Sequence, residues 1–448
     1  MGACSEFSLL PRHSLDYTAR MSSHVARREG EETTRTLHYR GYCSKTVLTT
    51  LAECMELHRE LYNACITERR SAWKMAGISV SYLDQQNQLP EIKRLRPELI
   101  PLGSHALQET CRRVERGYQA AFRRIRERKP TSFPRYQSRR RFRSFGYPDP
   151  AGWSWDRGHA LHVSHLGDIR LHGKSRVMGR PVALRLKLRD DATLDVTITV
   201  ACALPKRESG AKLAGLDLGL FHAIALSDGS IYDASKPLKA ALKRLQHEQR
   251  SLSRKRRGSK NREKQRRLVA RLHEKVANQR KDWVHKVTAK LASEYTLVVT
   301  EDLSITNLTR NGGSHKRGLN RSFSDVAPGM IDQFLSYKLA EAGGVYRNDV
   351  DPRRYKPSQT CPRCLHVRKK TLAQRTHRCA ACEYVVDRDV AAGQVCLLVY
   401  QQHYPTELQG RDAPGVEDAQ RSGRPGRRPV PAVNDGRRRE ARNRQLAA

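Results

Sequence analysis

The chain has 448 residues, 38% of them hydrophobic, with 84 Lys and Arg against 46 Asp and Glu, a formal net charge of +38. That length allows two or three domains with cores of their own, and a mean hydropathy of −0.71 leaves part of it as solvated arm or tail. So large a positive charge selects polyanions, nucleic acid first, as partners rather than a membrane or a small-molecule substrate, and no run of ~20 apolar residues occurs.

The N-terminus has no charged start followed by a long apolar stretch, so it does not read as a secretory signal. Of the eleven cysteines, four form two knuckles. Cys4, Cys43, Cys54, Cys65, Cys111, Cys202 and Cys396 are scattered, which points to a reducing compartment and to metal ligands rather than a disulfide framework.

Residues 1–35 are charged and aperiodic and read as a disordered extension. Thr36–Arg40 alternates like a first strand. Two helical patterns follow: Leu48, Leu51, Met55, Tyr62 and Cys65 in one; Leu107, Cys111, Val114, Tyr118, Phe122 and Ile125 in the other, with Ser104 as its N-cap. Between Phe133 and Phe145 arginines interleave with aromatics, including Arg135, Tyr136, Arg139 and Arg140. That mixture suits phosphate contact together with base stacking. Ala160–Val163, Asp168–Leu171, Val182–Leu188 and Leu194–Val200 are evenly spaced short strands with an Asp190-Asp191 turn, predicting a small barrel or sandwich. Pro205–Gly210 reads as a linker.

Leu213–Leu220 is an apolar strand holding one acid, Asp217. A lone acid there is costly unless it is paired or binds a cation, although Gly219 beside it also suits a turn. Phe221–Leu226 is a second strand closed by the turn Ser227-Asp228-Gly229. Residues 236–281 carry 18 Lys and Arg against three Glu. Leu238, Leu242, Leu245 and Leu252 form one helical stripe, and Leu268, Leu272, Val276, Trp283, Val287 and Leu291 another. Arg254, Lys255, Arg256, Arg257, Lys260, Arg266 and Arg267 cluster at the bend. The expectation is a helical hairpin, apolar inside and basic outside, that grips a nucleic-acid backbone. Thr296–Leu303 is a β-branched strand with Glu301 and Asp302 at its C-terminal end, where α/β sheets put functional groups. Residues 307–322 read as a mobile loop. Ile331, Phe334, Leu335 and Leu339 mark an amphipathic helix, and the tail past Pro405 reads as disordered.

Cys361/Cys364 and Cys379/Cys382 are two Cys-x-x-Cys knuckles separated by 14 residues. Four thiolates so arranged close a tetrahedral zinc site that is structural because no position stays open; an iron–sulfur cluster or free thiols are the competing readings. Asp389 follows, opening a helix over Val390–Tyr400. Asp217, Glu301 and Asp389 come from distant elements, and carboxylates suit Mg²⁺. Two Mg²⁺ ions ~4 Å apart serve an in-line attack on a phosphodiester, but spacing alone does not reveal whether the acids converge.

Leu213-Ala-Gly-Leu-Asp217-Leu-Gly-Leu with Ser227-Asp228-Gly229 resembles the first RuvC motif of the TnpB (OrfB) proteins of bacterial insertion sequences. Val298-Val-Thr-Glu301-Asp302-Leu resembles their second motif, and Ser358 through Asp389 is similar to their zinc ribbon and third motif. Gln279–Asp282 with His285 fits the helix before the second motif; Leu61–Ala64 and Phe133–Tyr136 fit the N-terminal region. The resemblance covers about residues 36–400 and extends to compact type V CRISPR effectors.

The resemblance implies a multidomain α+β chain. A split β-barrel (36–47 and 148–205) and a helical recognition domain (48–147) precede an RNase H-like (RuvC) α/β nuclease domain (206–354 and 386–403). That domain carries the basic hairpin 236–294 and an inserted zinc ribbon (355–385), and a basic tail (404–448) ends the chain. It implies a bacterial cytoplasmic, nucleoid-associated enzyme using guide RNA to cut double-stranded target DNA, with structural Zn²⁺, and with catalytic Mg²⁺ on Asp217, Glu301 and Asp389.

There are departures. The family's glycine after each knuckle is Leu365 and Glu383 here, its Asn two residues past the third acid is Ala391, and Asp387 competes with Asp389 for the third ligand position. The lost Asn keeps open a nuclease-impaired, repressor-like RNA-guided binder. A guide-independent DNA-binding accessory of transposition is the further alternative.

Overall fold

The computed structural model describes residues 32–173, 179–189, 193–203, 210–310, 312–371 and 373–403. The expected extension up to residue 31, the Asp190-Asp191 turn, residues 205–209 of the linker and the tail from 404 lie outside them. No helix among the described residues is long and apolar enough to cross a membrane.

The chain opens with β1 (Glu32–Tyr42), α1 (Lys45–Ala76), α2 (Tyr82–Asn87), α3 (Leu89–Leu95), a 3₁₀ turn at Pro97–Leu102 and α4 (Ser104–Arg126). Six strands follow: β2 (Ser144–Tyr147), β3 (Trp153–Trp155), β4 (Ala160–Val163), β5 (Gly167–His172), β6 (Arg180–Leu188) and β7 (Leu194–Ala203). They pair with β1 in one antiparallel sheet of order β2-β6-β7-β1-β5-β4-β3. Residues 32–35, expected in the charged extension, are strand instead. Glu32–Arg35 pairs with Ala203–Val200 of β7, so ladder hydrogen bonds override a polar sequence.

Helices and sheet share one continuous core, in which Leu51, Leu107 and Val114 meet Leu161, Ile169 and Ile198. Ser104 is the first residue of α4 and not its cap; Gly103 precedes it with φ +76, and the Ser104 hydroxyl instead accepts from Lys93 Nζ at 2.6 Å. Phe122 and Ile125, predicted to face the core, are exposed, and Phe122 packs edge-on against Phe133. The two N-terminal motifs meet. Asn63 Nδ2 donates to the Gln137 carbonyl, the Gln137 N–H donates to Asn63 Oδ1, and Arg70 lies 4.9 Å over the Tyr136 ring.

The second half begins with β8 (Lys212–Asp217), β9 (Ile224–Leu226), β10 (Ile231–Tyr232), α5 (Pro237–Arg254), α6 (Lys260–Glu294) and β11 (Tyr295–Glu301). Then come α7 (Ile305–Leu308), α8 (Ser314–Val326), α9 (Pro328–Glu341), β12 (Val345–Val350) and α10 (Pro352–Tyr355), and finally β13 (Thr376–Arg378), β14 (Val385–Asp387) and α11 (Arg388–His403). The five-stranded sheet has the order β10-β9-β8-β11-β12, parallel through β8, β11 and β12. Continuous apolar runs in β8 and β11 fit burial on both faces. Ala214 and Leu216 face Val284, Leu291, Ile331 and Leu335 of α6 and α9; Leu213, Leu297 and Val299 face Cys396 and Tyr400 of α11.

Residues 307–322, expected to be a mobile loop, lie mostly in α7 and α8. Asp325 anchors α8 by accepting from the Leu238 and Lys239 N–H groups at the start of α5, at 2.7 and 2.9 Å. Asn320 and Lys316 donate back to carbonyls at 308–310.

α11 crosses β8 backbone to backbone. A β-carbon on Gly215 would lie 1.8 Å from the Gly393 carbonyl oxygen. Gly215→Ala is therefore expected to destabilise the fold by about 3 kcal/mol or more, read as a lower urea midpoint in chemical unfolding; an unchanged midpoint would mean the helix is free to lift away.

Candidate functional site

Side chains alternate along a strand and return every fourth residue on a helix. Asp217, two residues past Gly215, therefore lies on the face of β8 that meets α11. Asp389, four residues before Gly393, lies on the face of α11 that meets β8. Glu301 is on the same face of β11 as Leu297 and Val299, which share α11's core. The glycine pair thus brings three acids, drawn from 217, 301 and 389, to one end of the parallel sheet. The turn Ser227–Gly229 braces it: the Ser227 N–H donates to the Gly215 carbonyl, its hydroxyl accepts from the Gly215 N–H, and Gln394 Nε2 donates to the Ser227 carbonyl.

The electrostatics show that Asp217 feels the other two carboxyls. Desolvation first, then the charges of Glu301 and Asp389, hold the Asp217 carboxyl well above the usual carboxylate range. Desolvation raises Glu301. Desolvation, then Asp387, raises Asp389, against the pull of Arg375, His222 and Arg388. Three acids that resist ionising together are a set of hard oxygen donors with an unmet demand for positive charge, which fits a divalent cation.

Asp387 and Asp389 are doing different things. Asp387 Oδ1 accepts from the N–H groups of Asp389 and Val390, at 2.8 and 3.3 Å, and so caps α11. Asp389 is 8% exposed and its Oδ2 lies 3.6 Å from where a Gly219 β-carbon would sit, facing the Asp217 loop. Asp302, the other acid after β11, is exposed.

The four knuckle sulfurs, Cys361, Cys364, Cys379 and Cys382, all lie within 4.8 Å of one another. Cys361 and Cys382 Sγ are 3.6 Å apart, and Cys364 and Cys379 Sγ 3.4 Å. A tetrahedral site with Zn–S near 2.3 Å needs sulfurs about 3.8 Å apart, so the thiols fit zinc. The knuckles repeat one turn: the Cys361 N–H donates to the His366 carbonyl, and the Cys379 N–H to the Tyr384 carbonyl. The residue after each knuckle is left-handed, Leu365 at φ +59 and Glu383 at φ +57. Side chains tolerate that region poorly. Leu365→Gly and Glu383→Gly are each expected to stabilise the ribbon by about 1 kcal/mol, measured as slower zinc release to a chromophoric chelator; faster release would contradict it. The ribbon hairpin β13–β14 runs directly into α11, with Asp387 paired to Thr376.

The basic residues are spread over two surfaces. Arg254, Arg256, Arg257 and Lys260 are exposed at the α5–α6 bend and Lys255 is half-buried there; Arg266 and Arg267 pair with Glu263. On the other surface Arg135, Tyr136 and Arg140 are exposed, and Arg139 pairs with Glu56 at 2.9 Å. Three neighbours of the acids carried no signal in the sequence: His222, whose Nδ1 meets Asp233 Oδ1 at 2.9 Å; Arg375, 4.7 Å over the Phe221 ring; and buried Cys396, whose thiol is pushed up by burial and then by Asp217 and Glu301.

Comparison with known proteins adds two family matches. Residues 187–312 match the OrfB_IS605 family, described as "Probable transposase", and residues 329–395 match the "Cas12f1-like, TNB domain" family. The chain is 30% identical over 312 residues to a protein of Escherichia coli (strain K12) named "Putative RNA-guided DNA endonuclease InsQ", covering 64% of this chain and 72% of that one. It is 28% identical over 369 residues to a "Putative RNA-guided DNA endonuclease" of Streptomyces pristinaespiralis, covering 81% and 89%. Among solved structures, the Cas12f1 chain of a complex with sgRNA and target DNA aligns at 13% identity and a TM-score of 0.49, over 82% of this chain and 99% of that one.

Proposed function

This chain belongs to the TnpB (OrfB) family, and we propose on that premise that it is an RNA-guided, divalent-metal-dependent DNA endonuclease of a transposable element. The observation that carries the proposal is the convergence of Asp217, Glu301 and Asp389 at the end of β8 and β11, where burial raises all three carboxyls and the charges of Glu301 and Asp389 raise Asp217 further. In this reading the second half is an RNase H-like (RuvC) nuclease domain and the partners are a guide RNA and double-stranded target DNA. Metal bound there supplies Lewis-acid polarisation of a phosphodiester oxygen and a deprotonated water.

The chain's own residues do the rest. Asp217, Glu301 and Asp389 hold the cation, and Asp387 fixes the start of α11 so that Asp389 keeps its direction. Cys361, Cys364, Cys379 and Cys382 hold structural zinc, which folds the insert that precedes Asp389. The cations at the α5–α6 bend and around Arg135, Tyr136, Arg139 and Arg140 neutralise nucleic-acid phosphates while base pairing reads sequence.

A second reading, a nuclease-impaired guided binder, is favoured by one observation: the family's Asn is Ala391, 1% exposed. The test is to sequence RNA copurifying with the chain and to challenge a plasmid matching it, with Mg²⁺ or with a chelator. Cleavage in Mg²⁺ alone is expected. Guided binding without cleavage would support the impaired binder, and no bound RNA would leave a guide-independent DNA-binding accessory.

A further inference from the structure

We propose that the cavity between the start of α5 and α8 holds one nucleotide of the DNA strand presented to the acid cluster. Its base would lie on a leucine floor and its phosphates on a cationic rim. The inference rests on the endonuclease reading and adds a substrate subsite to it.

The cavity encloses about 350 Å³, at the lower end of ligand-site volumes. Leu220, Leu238 and Leu242 line it, and Lys236, Lys239 and Arg321 supply its charge. An apolar surface bounded by cations matches a nucleotide, whose base has a stacking face and whose phosphate is anionic. None of the three cations is ion-paired among the described residues. The acid in the lining, Asp325, does not oppose a phosphate: its carboxylate is turned to the Leu238 and Lys239 N–H groups. Those bonds also satisfy the start of α5, so the site is the cavity and not the helix terminus.

Position selects the occupant. Leu220 lies three residues past Asp217, in the loop leaving β8, and the crevice beyond the C-terminal ends of parallel strands is where open α/β sheets take ligands. The cavity lies on the α6/α9 side of the sheet and is joined to the acid cluster by the three-residue step from Asp217 to Leu220, so the strand that reaches Asp217, the cut DNA rather than the guide, is the occupant assigned to it.

Two features of the lining run against local preference. Lys236 takes a left-handed conformation, φ +47, just before α5, which is unfavourable for a residue with a side chain. Gly318 sits inside α8, where glycine costs about 1 kcal/mol relative to alanine. A β-carbon on Gly318 would meet nothing within 4 Å, so alanine is tolerated there and the glycine leaves the wall bare.

The test uses the full chain with a single-stranded oligothymidylate of about 12 nucleotides carrying one 5-iodouracil. Ca²⁺ replaces Mg²⁺ so that the probe stays intact, and irradiation is followed by peptide mapping. Cross-links are expected in the peptides holding Leu238, Leu242 and Arg321. Gly318→Leu fills the cavity, removes no charge and raises helix propensity; it is expected to lower those cross-links about tenfold, and Arg321→Ala to weaken them, while Gly318→Ala leaves them in place. Cross-links confined to other peptides, indifference to Gly318→Leu, or preference for a matched oligouridylate would overturn the assignment. Failure of the endonuclease reading looks different: plasmid stays intact with wild type, whatever the cross-link map.

Discussion

Replacing Asp217 by Asn is expected to lower Mg²⁺-dependent cleavage by the guide-loaded chain about 10³-fold or more, and to raise the melting temperature of the metal-free chain. Both effects have one origin. The Asp217 carboxyl is held above its ordinary range by desolvation and by Glu301 and Asp389, so the unloaded site carries repulsion that the substitution relieves. The sign in pH follows. An acid raised in the folded state costs nothing below its unfolded value, near pH 4, and costs increasingly as pH rises through the folded value. The stabilisation by Asp217→Asn is therefore expected to grow on going from acidic to neutral pH and to vanish when wild type is loaded with metal. Plasmid cleavage and thermal melts with and without Mg²⁺ check it. A variant cutting within about tenfold of wild type would remove Asp217 from the chemistry.

Cys379→Ser is the second large effect. It is expected to abolish the single zinc per chain and, with it, cleavage, although Cys379 is nowhere among the acids. The ribbon buries little apolar surface of its own, and structural zinc contributes roughly 10 kcal/mol or more to folding such units. Without it β14 loses β13, and Asp387 no longer holds the first turn of α11. Zinc content by atomic emission, with cleavage alongside, reads both. Full cleavage by a zinc-free variant would separate the ribbon from the active site.

The parts of this molecule that were legible in its sequence are those whose signal is local. Asp217 stands out because it interrupts an apolar strand, the knuckles because of cysteine spacing, and α5 and α6 because of their leucine stripes. What was not legible depends on contacts between distant segments. Strand β1 begins at polar Glu32 because β7 pairs with it. Residues 307–322 read as a mobile loop until Asp325 is seen capping α5. Phe122 follows a helical period yet lies outside, against Phe133. Convergence of the acids needs Gly215 against Gly393, a contact between positions 178 apart in the chain. The hydrogen bonds that make Asp387 the cap of α11 were likewise invisible, because a helix cap and a candidate metal ligand are both simply aspartates until such bonds are seen.

The position of the ribbon between β12 and α11 also has a temporal meaning. During synthesis β8 and β11 emerge and pair long before Asp389 does, and domains assemble in order of emergence. On the endonuclease reading proposed above, the last acid then arrives on a strand whose geometry would wait for zinc, so a newly made chain is expected to stay catalytically silent until it has acquired the metal, and zinc supply would act as a licence for its maturation.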